Sequence, residues 1–242
     1  MVEVPLVRLS RWLDGFAQRH GQWTSALAAT DAAPAWRLHA EDGTEAVVHA
    51  PSWWVDVAGQ DPEAGWDPDA PALDGPAVGA PALDALIHVS PLFGVILLRR
   101  AGYVVALFHG RALVERKVAT RHIHGRTAAG GWSQQRYARR RANQAEEISG
   151  ACAGAAAQIL ARPHRSPVQF LVTGGDRPLL SAVLGRLPEP LSELPVRAHL
   201  PVGTPDRQVL AGLPDRVLAV RIDLPGPGPD LASGPLASSA PI

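Results

Sequence analysis

Cysteine is almost missing from this chain, with Cys152 its single representative. A disulfide framework is therefore excluded, and a reducing compartment suits the composition. Long apolar runs are missing too. The longest, Ala85 to Leu98, is broken by His88, Ser90, Pro91 and Gly94, whereas a bilayer crossing takes roughly 20 apolar residues. The N-terminus has no basic-then-apolar layout of a secretory signal. Together these gaps lead to the expectation of a soluble, cytoplasmic protein with no membrane partner. Lysine occurs once, at Lys117, while Arg, Ala, Gly and Pro abound. That bias reflects codon composition and carries no chemistry. Net charge is also missing, since 23 basic and 23 acidic residues cancel. What is present is ordinary: 46% hydrophobic residues over 242 positions, enough for the core of one α/β domain with additions.

The zero net charge hides a sharp asymmetry. Before Arg99, acidic residues outnumber basic ones. From Arg99 to Arg141 the only acid is Glu115, against Arg99, Arg100, Arg111, Arg116, Lys117, Arg121, Arg126, Arg136, Arg139, Arg140 and Arg141. After Arg141 the signs balance again. A run with a single acid points to nucleic acid or phosphate. The plainer alternative is the solvated face of a hairpin and a helix.

Periodicity sets the expected elements. Leu9 to His20 has helical spacing, with Trp12, Leu13 and Phe16 on one side. Trp36 to Ala50 reads as a hairpin about the turn dipeptide Asp42-Gly43. Gly59 to Pro81 is a Pro/Gly/Asp-rich linker. Ala85 to His88 is β-prone. Leu92 to Arg99, Tyr103 to His109 and Ala112 to Ile123 form an antiparallel meander. After a glycine-rich loop, Gly125 to Gly131, the longest helix runs from about Ser133 to Ala161. Its apolar face is Tyr137, Ala145, Ile148, Cys152, Ala155 and Ile159. Strands follow at Val168 to Thr173, Val196 to Leu200 and Val217 to Ile222. Helices are expected at Arg177 to Leu187 and Pro205 to Leu213. From Pro225 onward the chain is mostly Pro, Gly, Ala and Ser and reads as a disordered tail. The expected organisation is a helix, hairpin and linker at 1–82 packed on a main domain at 83–223, then a tail at 224–242.

The informative stretch runs from His122 to Asn143: His-Ile-His-Gly-Arg-Thr-Ala-Ala-Gly-Gly-Trp-Ser-Gln-Gln-Arg-Tyr-Ala-Arg-Arg-Arg-Ala-Asn. Gly130 and Gly131 free the backbone for positive φ and close approach to a partner. Ser133 suits the N-cap of the helix that follows. Arg136, Arg139, Arg140 and Arg141 then crowd the first turns. The helix dipole disfavours each exposed cation there by roughly 0.3–1 kcal/mol, and the four repel one another. An external polyanion would offset both effects, because guanidinium forks bind phosphate bidentately. RNA is the polyanion expected.

These residues resemble the catalytic middle domain of eukaryotic and archaeal class-one release factors. The resemblance rests on His124-Gly-Arg126, then Gly130-Gly-x-Ser133-x-x-Arg136-Tyr-Ala-Arg139-x-Arg141. Its flanks are Leu92-Phe-Gly-Val-Ile-Leu-Leu, Tyr103-Val-Val-Ala-Leu-Phe-His-Gly and Phe170-Leu-Val-Thr-Gly-Gly-Asp, in the right order. It covers about Leu92 to Leu213. Those factors carry Gly-Gly-Gln, whereas here Trp132 follows Gly131, and glutamines come later at Gln134 and Gln135. A displaced glutamine is the mark of the Vms-like release factor (VLRF) group, and the chain is most similar to its actinobacterial branch. The resemblance implies an α/β fold of RNase H-like type. It would have a mixed sheet and the long helix after the Gly-Gly loop, to which the periodicity of the first 82 residues adds an N-terminal helix and hairpin extension. It also implies peptidyl-tRNA hydrolysis on stalled large ribosomal subunits, in ribosome rescue and ribosome-associated quality control. Ribosomal RNA and peptidyl-tRNA become the expected partners, with the protein a monomer. Gln134 is chosen as the acting residue because its Ser-Gln pair best matches the group's motif; Gln135 remains the alternative. Gly130, Gly131, Trp132 and Ser133 form the loop. His124, Arg126, Arg136, Arg139, Arg140 and Arg141 are the expected RNA contacts.

The chemistry fits the residue types. The substrate is an ester on the terminal ribose of tRNA, and an activated ester needs a positioned water more than a strong base. A glutamine at a loop tip can orient that water, and amide donors can face the developing oxyanion. No cofactor or metal is expected. His122 and His124 alternate on a strand end, but two histidines alone do not make a zinc site. Thr173-Gly-Gly-Asp176 lacks the rest of a phosphate-binding fingerprint and reads as a strand-to-helix turn. Trp53, Trp54 and Trp66 read as core or lid. Asp61, Glu63, Asp67 and Asp69 read as linker rather than a calcium loop. Cys152, on the helix's apolar face, reads as buried and inert. Two other functions fit the residues. One is a non-catalytic tRNA- or ribosome-binding module, which Trp132 favours. The other is an endonuclease cutting the tRNA 3′ end, with His122 and His124 as acid and base.

Overall fold

The computed structural model describes residues 1–28, 34–58, 79–120 and 133–224, with side chains at all of these except 58, 79–82, 84, 133–135, 137 and 138. The elements in chain order are β1 (Val2–Pro5), α1 (Leu9–His20), β2 (Trp23–Ala28), β3 (Ala35–Ala40), β4 (Glu45–His49), α2 (Trp54–Ala58), α3 (Gly79–His88), β5 (Leu92–Arg99), β6 (Gly102–His109), β7 (Ala112–Thr120), α4 (Ser133–Leu160), β8 (Phe170–Gly175), α5 (Arg177–Leu184), β9 (Val196–Leu200), α6 (Arg207–Ala211), α7 (Leu213–Val217) and β10 (Ala219–Asp223). The expected α/β class holds.

Two five-stranded sheets carry the molecule. The first has the order β1-β10-β4-β3-β2 and is antiparallel throughout. Its β3–β4 hairpin is the one expected about Asp42-Gly43. Gly43 sits at φ +83°, which the turn requires, and the Asp42 carboxylate accepts from the Thr44 N–H at 2.8 Å. The second sheet has the order β7-β6-β5-β8-β9. The meander β5-β6-β7 is antiparallel, while β8 and β9 add in parallel, so this sheet is mixed.

Strand β5 shows why the second sheet lies at the centre. It is apolar at every position but its last, so both faces must be covered. Phe93, Val95 and Leu97 face a core shared with the first sheet and with α1, α2 and α3. Leu92, Ile96 and Leu98 face a second core made with α4 and α5. Phe93 stacks on Phe108 at 5.4 Å and on Phe170 at 5.1 Å, and Phe170 stacks on Trp53 at 5.8 Å. Trp53 and Trp54 are therefore core residues, as expected; Trp66 lies outside the described residues, as does the linker with its acidic residues.

Several expectations need correction. Ala85 to His88 belongs to a helix, not a strand. Leu83 and Leu86 are buried at helical spacing, and Pro81 sits in the first turn, where its missing N–H is tolerated. A short apolar run cannot separate strand from buried helix. The helix expected at Pro205 to Leu213 is two short helices meeting at Gly212. The strand expected at Val168 is shifted onward to Phe170–Gly175. The short β1 and β2 were not foreseen.

Candidate functional site

Helix α4 is 28 residues long, and its two ends have different surroundings. Ile148, Cys152, Ala155 and Ile159 are buried against β6 and its neighbours. Ala145 is half-buried, and every described side chain from Arg136 to Gln144 is exposed. Ser133 to Ala145 spans roughly 18 Å at 1.5 Å per residue. Arg141 is the diagnostic position. It lies four residues before Ala145 and seven before Ile148, so it continues the stripe that the core buries further on. It is exposed. The body therefore ends near Ala145, and the first turns of α4 form an arm beyond it.

The direction of the arm follows from the sheet register. Tyr103 pairs with Leu98 at the β5–β6 turn and lies beside Cys152. Leu160 lies against Gly94 at the other end of β5. The N-terminal turns of α4 thus extend past the sheet edge that holds the β5–β6 turn. Thr120, paired with Gly102, ends β7 at that same edge.

One ion pair lies where arm and body meet. Arg186, just beyond α5, donates through Nη2 to both carboxylate oxygens of Glu146, at 2.7 Å each. Sequence reading did not single out this pair, because the two residues are distant in the chain and neither belongs to a motif.

The arginine block divides in two. Arg99 donates through Nε to the Val202 carbonyl at 3.0 Å. Arg111 pairs with Asp215 at 2.9 Å, and Lys117 donates to Gln158 at 3.3 Å. The one acid of the block, Glu115, is taken by Arg162 at 2.8 Å. These cations tie elements together, contrary to a reading of the whole block as one RNA face. On the arm, by contrast, Arg136, Arg139, Arg140 and Arg141 are all exposed, and among the described residues Arg136, Arg139 and Arg141 have no ion-pair partner. Because the helix starts at Ser133, only Arg136 lies in its first turn. The dipole penalty on Arg139 to Arg141 is therefore small. Repulsion in the 136/139 and 136/140 pairs outweighs it, at roughly a few tenths of a kcal/mol each.

Gln134 and Gln135 lie in the first turn of α4, at the outer end of the arm, and Ser133 is its first helical residue. Gly130, Gly131, Trp132, His122, His124, Arg121 and Arg126 lie outside the described residues. Among the described residues no three His, Cys, Asp or Glu side chains converge as a metal site requires. Cys152 is buried, and burial pushes its thiol up to about 12, which makes it unreactive at neutral pH. Thr173-Gly-Gly-Asp176 is a strand-to-helix turn. Gly175 has φ +107° and packs on the Leu98 carbonyl, and the Asp176 carboxylate caps α5 through the Leu179 N–H at 3.3 Å.

The fold and this site define a class: an α/β protein whose longest helix begins in an exposed, arginine-rich segment. Residues 91–223, more than half of the chain, match the model of the Actinobacteria/chloroflexi VLRF1 release factor family. The chain belongs to that family. No curated protein matches it. Membership assigns a translation-related, ribosome-associated role, with the ribosome and tRNA as partners. No helix among the described residues is long and apolar enough to cross a membrane.

Proposed function

We propose that the protein is a peptidyl-tRNA hydrolase that releases nascent chains from stalled large ribosomal subunits. The observation that carries this reading is the arm: a helix that leaves the body, bears exposed arginines and holds Gln134 and Gln135 in its outermost turn. Such an arm can enter a channel lined by RNA while the bulky sheets stay outside. Arg136, Arg139, Arg140 and Arg141, with His124 and Arg126, bind phosphates along the channel and set the register. Gly130, Gly131, Trp132 and Ser133 shape the approach to the ester.

Gln134 is the catalytic residue of this proposal. Its amide orients a water toward the ester carbonyl carbon. Water adds, the bond from that carbon to the ribose oxygen breaks, the ribose oxygen takes a proton, and the peptide leaves with a free carboxylate. Fixed donors facing the oxyanion account for most of the acceleration in such sites. Ribosomal RNA and the tRNA ribose surround the reaction, so isolated protein is expected to be nearly inactive on free esters. The setting is ribosome rescue in the cytoplasm.

The test is a release assay on purified stalled large subunits carrying labelled peptidyl-tRNA, followed by re-aminoacylation of the recovered tRNA. Release with tRNA that accepts an amino acid without repair supports ester hydrolysis. Uniformly shortened tRNA would replace it with phosphodiester cleavage. Tight binding with no release would make the protein a recognition module.

A further inference from the structure

A groove of about 750 Å³ opens between α5 and the edge strand β9. It runs along β9 from Val196, which pairs with Leu171 near the start of β8, to His199, which pairs with Thr173, so its Arg177–His199 end lies toward the carboxyl ends of the parallel strands. In open α/β sheets that end is where ligands are taken up. The base of the arginine arm and the β5–β6 turn lie at the same edge. The floor of the groove is apolar, from Leu180, Leu184 and Val196, and its rim is polar, from Arg177, Ser181 and Ser192.

Charge decides what the groove can hold. Among the described residues, no acid lines it. Of its two arginines, Arg197 is neutralised by a two-pronged pair with Asp56 of α2. Arg177 is exposed and has no ion-pair partner among the described residues. The nearest carboxylate in sequence, Asp176, is committed to capping α5. His199 is held at the wall, its Nδ1 3.1 Å from the hydroxyl of buried Thr173. Burial holds the His199 ring below the ordinary histidine range; Arg177 acts in the same direction, and a hydrogen bond to the Gly175 backbone opposes both. Burial and the Arg177 charge both favour the neutral imidazole, and an anion bound at Arg177 would weaken the second influence.

We propose that this groove is a second RNA-binding site, taking one phosphate of a single strand on Arg177 and the adjoining nucleotide on the apolar floor between Ser181 and Val196. A free nucleotide shares this chemistry. RNA is the source assigned, because the Arg177 end of the groove shares its edge of the sheet with the arm. The assignment rests on the ribosomal role and adds to it a contact beside the catalytic arm that holds flanking RNA.

The experiment uses the full-length protein and follows the His199 ring by NMR during titration with short oligouridylate, uridine monophosphate or inorganic phosphate. Anion binding at Arg177 offsets the lesser of the two influences that depress the ring, burial being the larger. The expected result is a shift of the His199 signals and a rise of its titration midpoint with oligouridylate, at concentrations where the two small ligands do nothing. Arg177→Gln should remove that response and weaken oligouridylate binding about fivefold, while Arg177→Lys should keep part of both. An arm variant, with Arg136, Arg139 and Arg141 changed to Gln, should keep the His199 response. A His199 signal unmoved by saturating oligouridylate overturns the assignment. So does a response to uridine monophosphate at least as strong as to the oligomer, which would mark a nucleotide pocket. Peptide release is scored separately. A normal release rate with an unmoved His199 sinks the groove alone, and a responsive His199 without release sinks the hydrolase alone.

Discussion

The two halves of α4 share one backbone and differ in everything around it. From Ile148 to Leu160 the helix is a structural element, with an apolar stripe pressed on the second sheet and mostly small residues, Gly150, Ala151 and Gly154, outward. From Ser133 to Gln144 it has the same hydrogen-bonded backbone, yet its described side chains touch solvent. Helix nucleation is costly and propagation is not. The packed half supplies the nucleus, and the arm extends from it. Folding therefore constrains the first half weakly, and its residues are free to serve a partner. Arg136, Arg139 and Arg141, exposed and without an ion-pair partner among the described residues, are what a partner made of phosphate would select.

The largest effects separate the halves most cleanly. Gln134→Ala should lower peptide release by roughly a hundredfold or more, with subunit binding within a few-fold of wild type and no change in melting temperature. If Gln135→Ala gives that loss instead, the acting amide is one residue further on. If neither change affects release, the arm tip is not catalytic. In the packed half the opposite pattern is expected. Ile159 is 2% exposed, so Ile159→Ala should destabilise the protein by about 2–4 kcal/mol, read as a shifted denaturant midpoint. Its release rate, measured where the protein remains folded, should be close to wild type.

Next in size is the arm's charge. Changing Arg136, Arg139 and Arg141 together to Gln should weaken binding to large subunits and flatten its salt dependence, because fewer counterions are released. Melting temperature should stay or rise, since like charges leave neighbouring turns. A clear fall in melting temperature with unchanged RNA binding would mean that these side chains serve the fold, and the contrast between the halves would collapse.

How much of this was visible in the sequence follows the range of the forces involved. Leu9 to His20, the β5-β6-β7 meander and α4 were legible because their apolar periodicity is local. Ala85 to His88 was not, because its helical character comes from burying Leu83 and Leu86. Strand β2 offered little alternation, with Ser25 its one buried residue. Strand β1 exists through pairing with β10 at the far end of the chain. Of the site, the Gly-Gly loop and the arginines were readable as a motif. The division of the basic block was not: whether Arg111 meets Asp215 or a phosphate depends on a partner far along the chain. The same holds for Arg177 and His199, which acquire a relation only when β8, β9 and α5 come together.

The smallest expected effect bears on the joint between the halves. Arg186 and Glu146 are joined by two short bonds, but Glu146 is 70% exposed and Arg186 36%. A surface pair of this kind contributes about 0–1 kcal/mol, so Arg186→Met should leave global stability almost unchanged. Its effect should be local. Amide hydrogen exchange in the wild-type protein is expected to be slow from Ile148 to Leu160 and progressively faster toward Arg136, because protection follows packing. If the ion pair sets where the arm leaves the body, Arg186→Met should extend fast exchange past Glu146 toward Ser149 and leave Cys152 to Leu160 as before. It should also lower the release rate more than it lowers subunit binding, because the tip of a loosened arm spends less time in register with the ester. Uniform exchange along α4 in the wild type would remove the distinction between arm and body altogether. An unchanged gradient in the variant would keep that distinction and assign the joint to the packing of Ala145 and Ile148 alone.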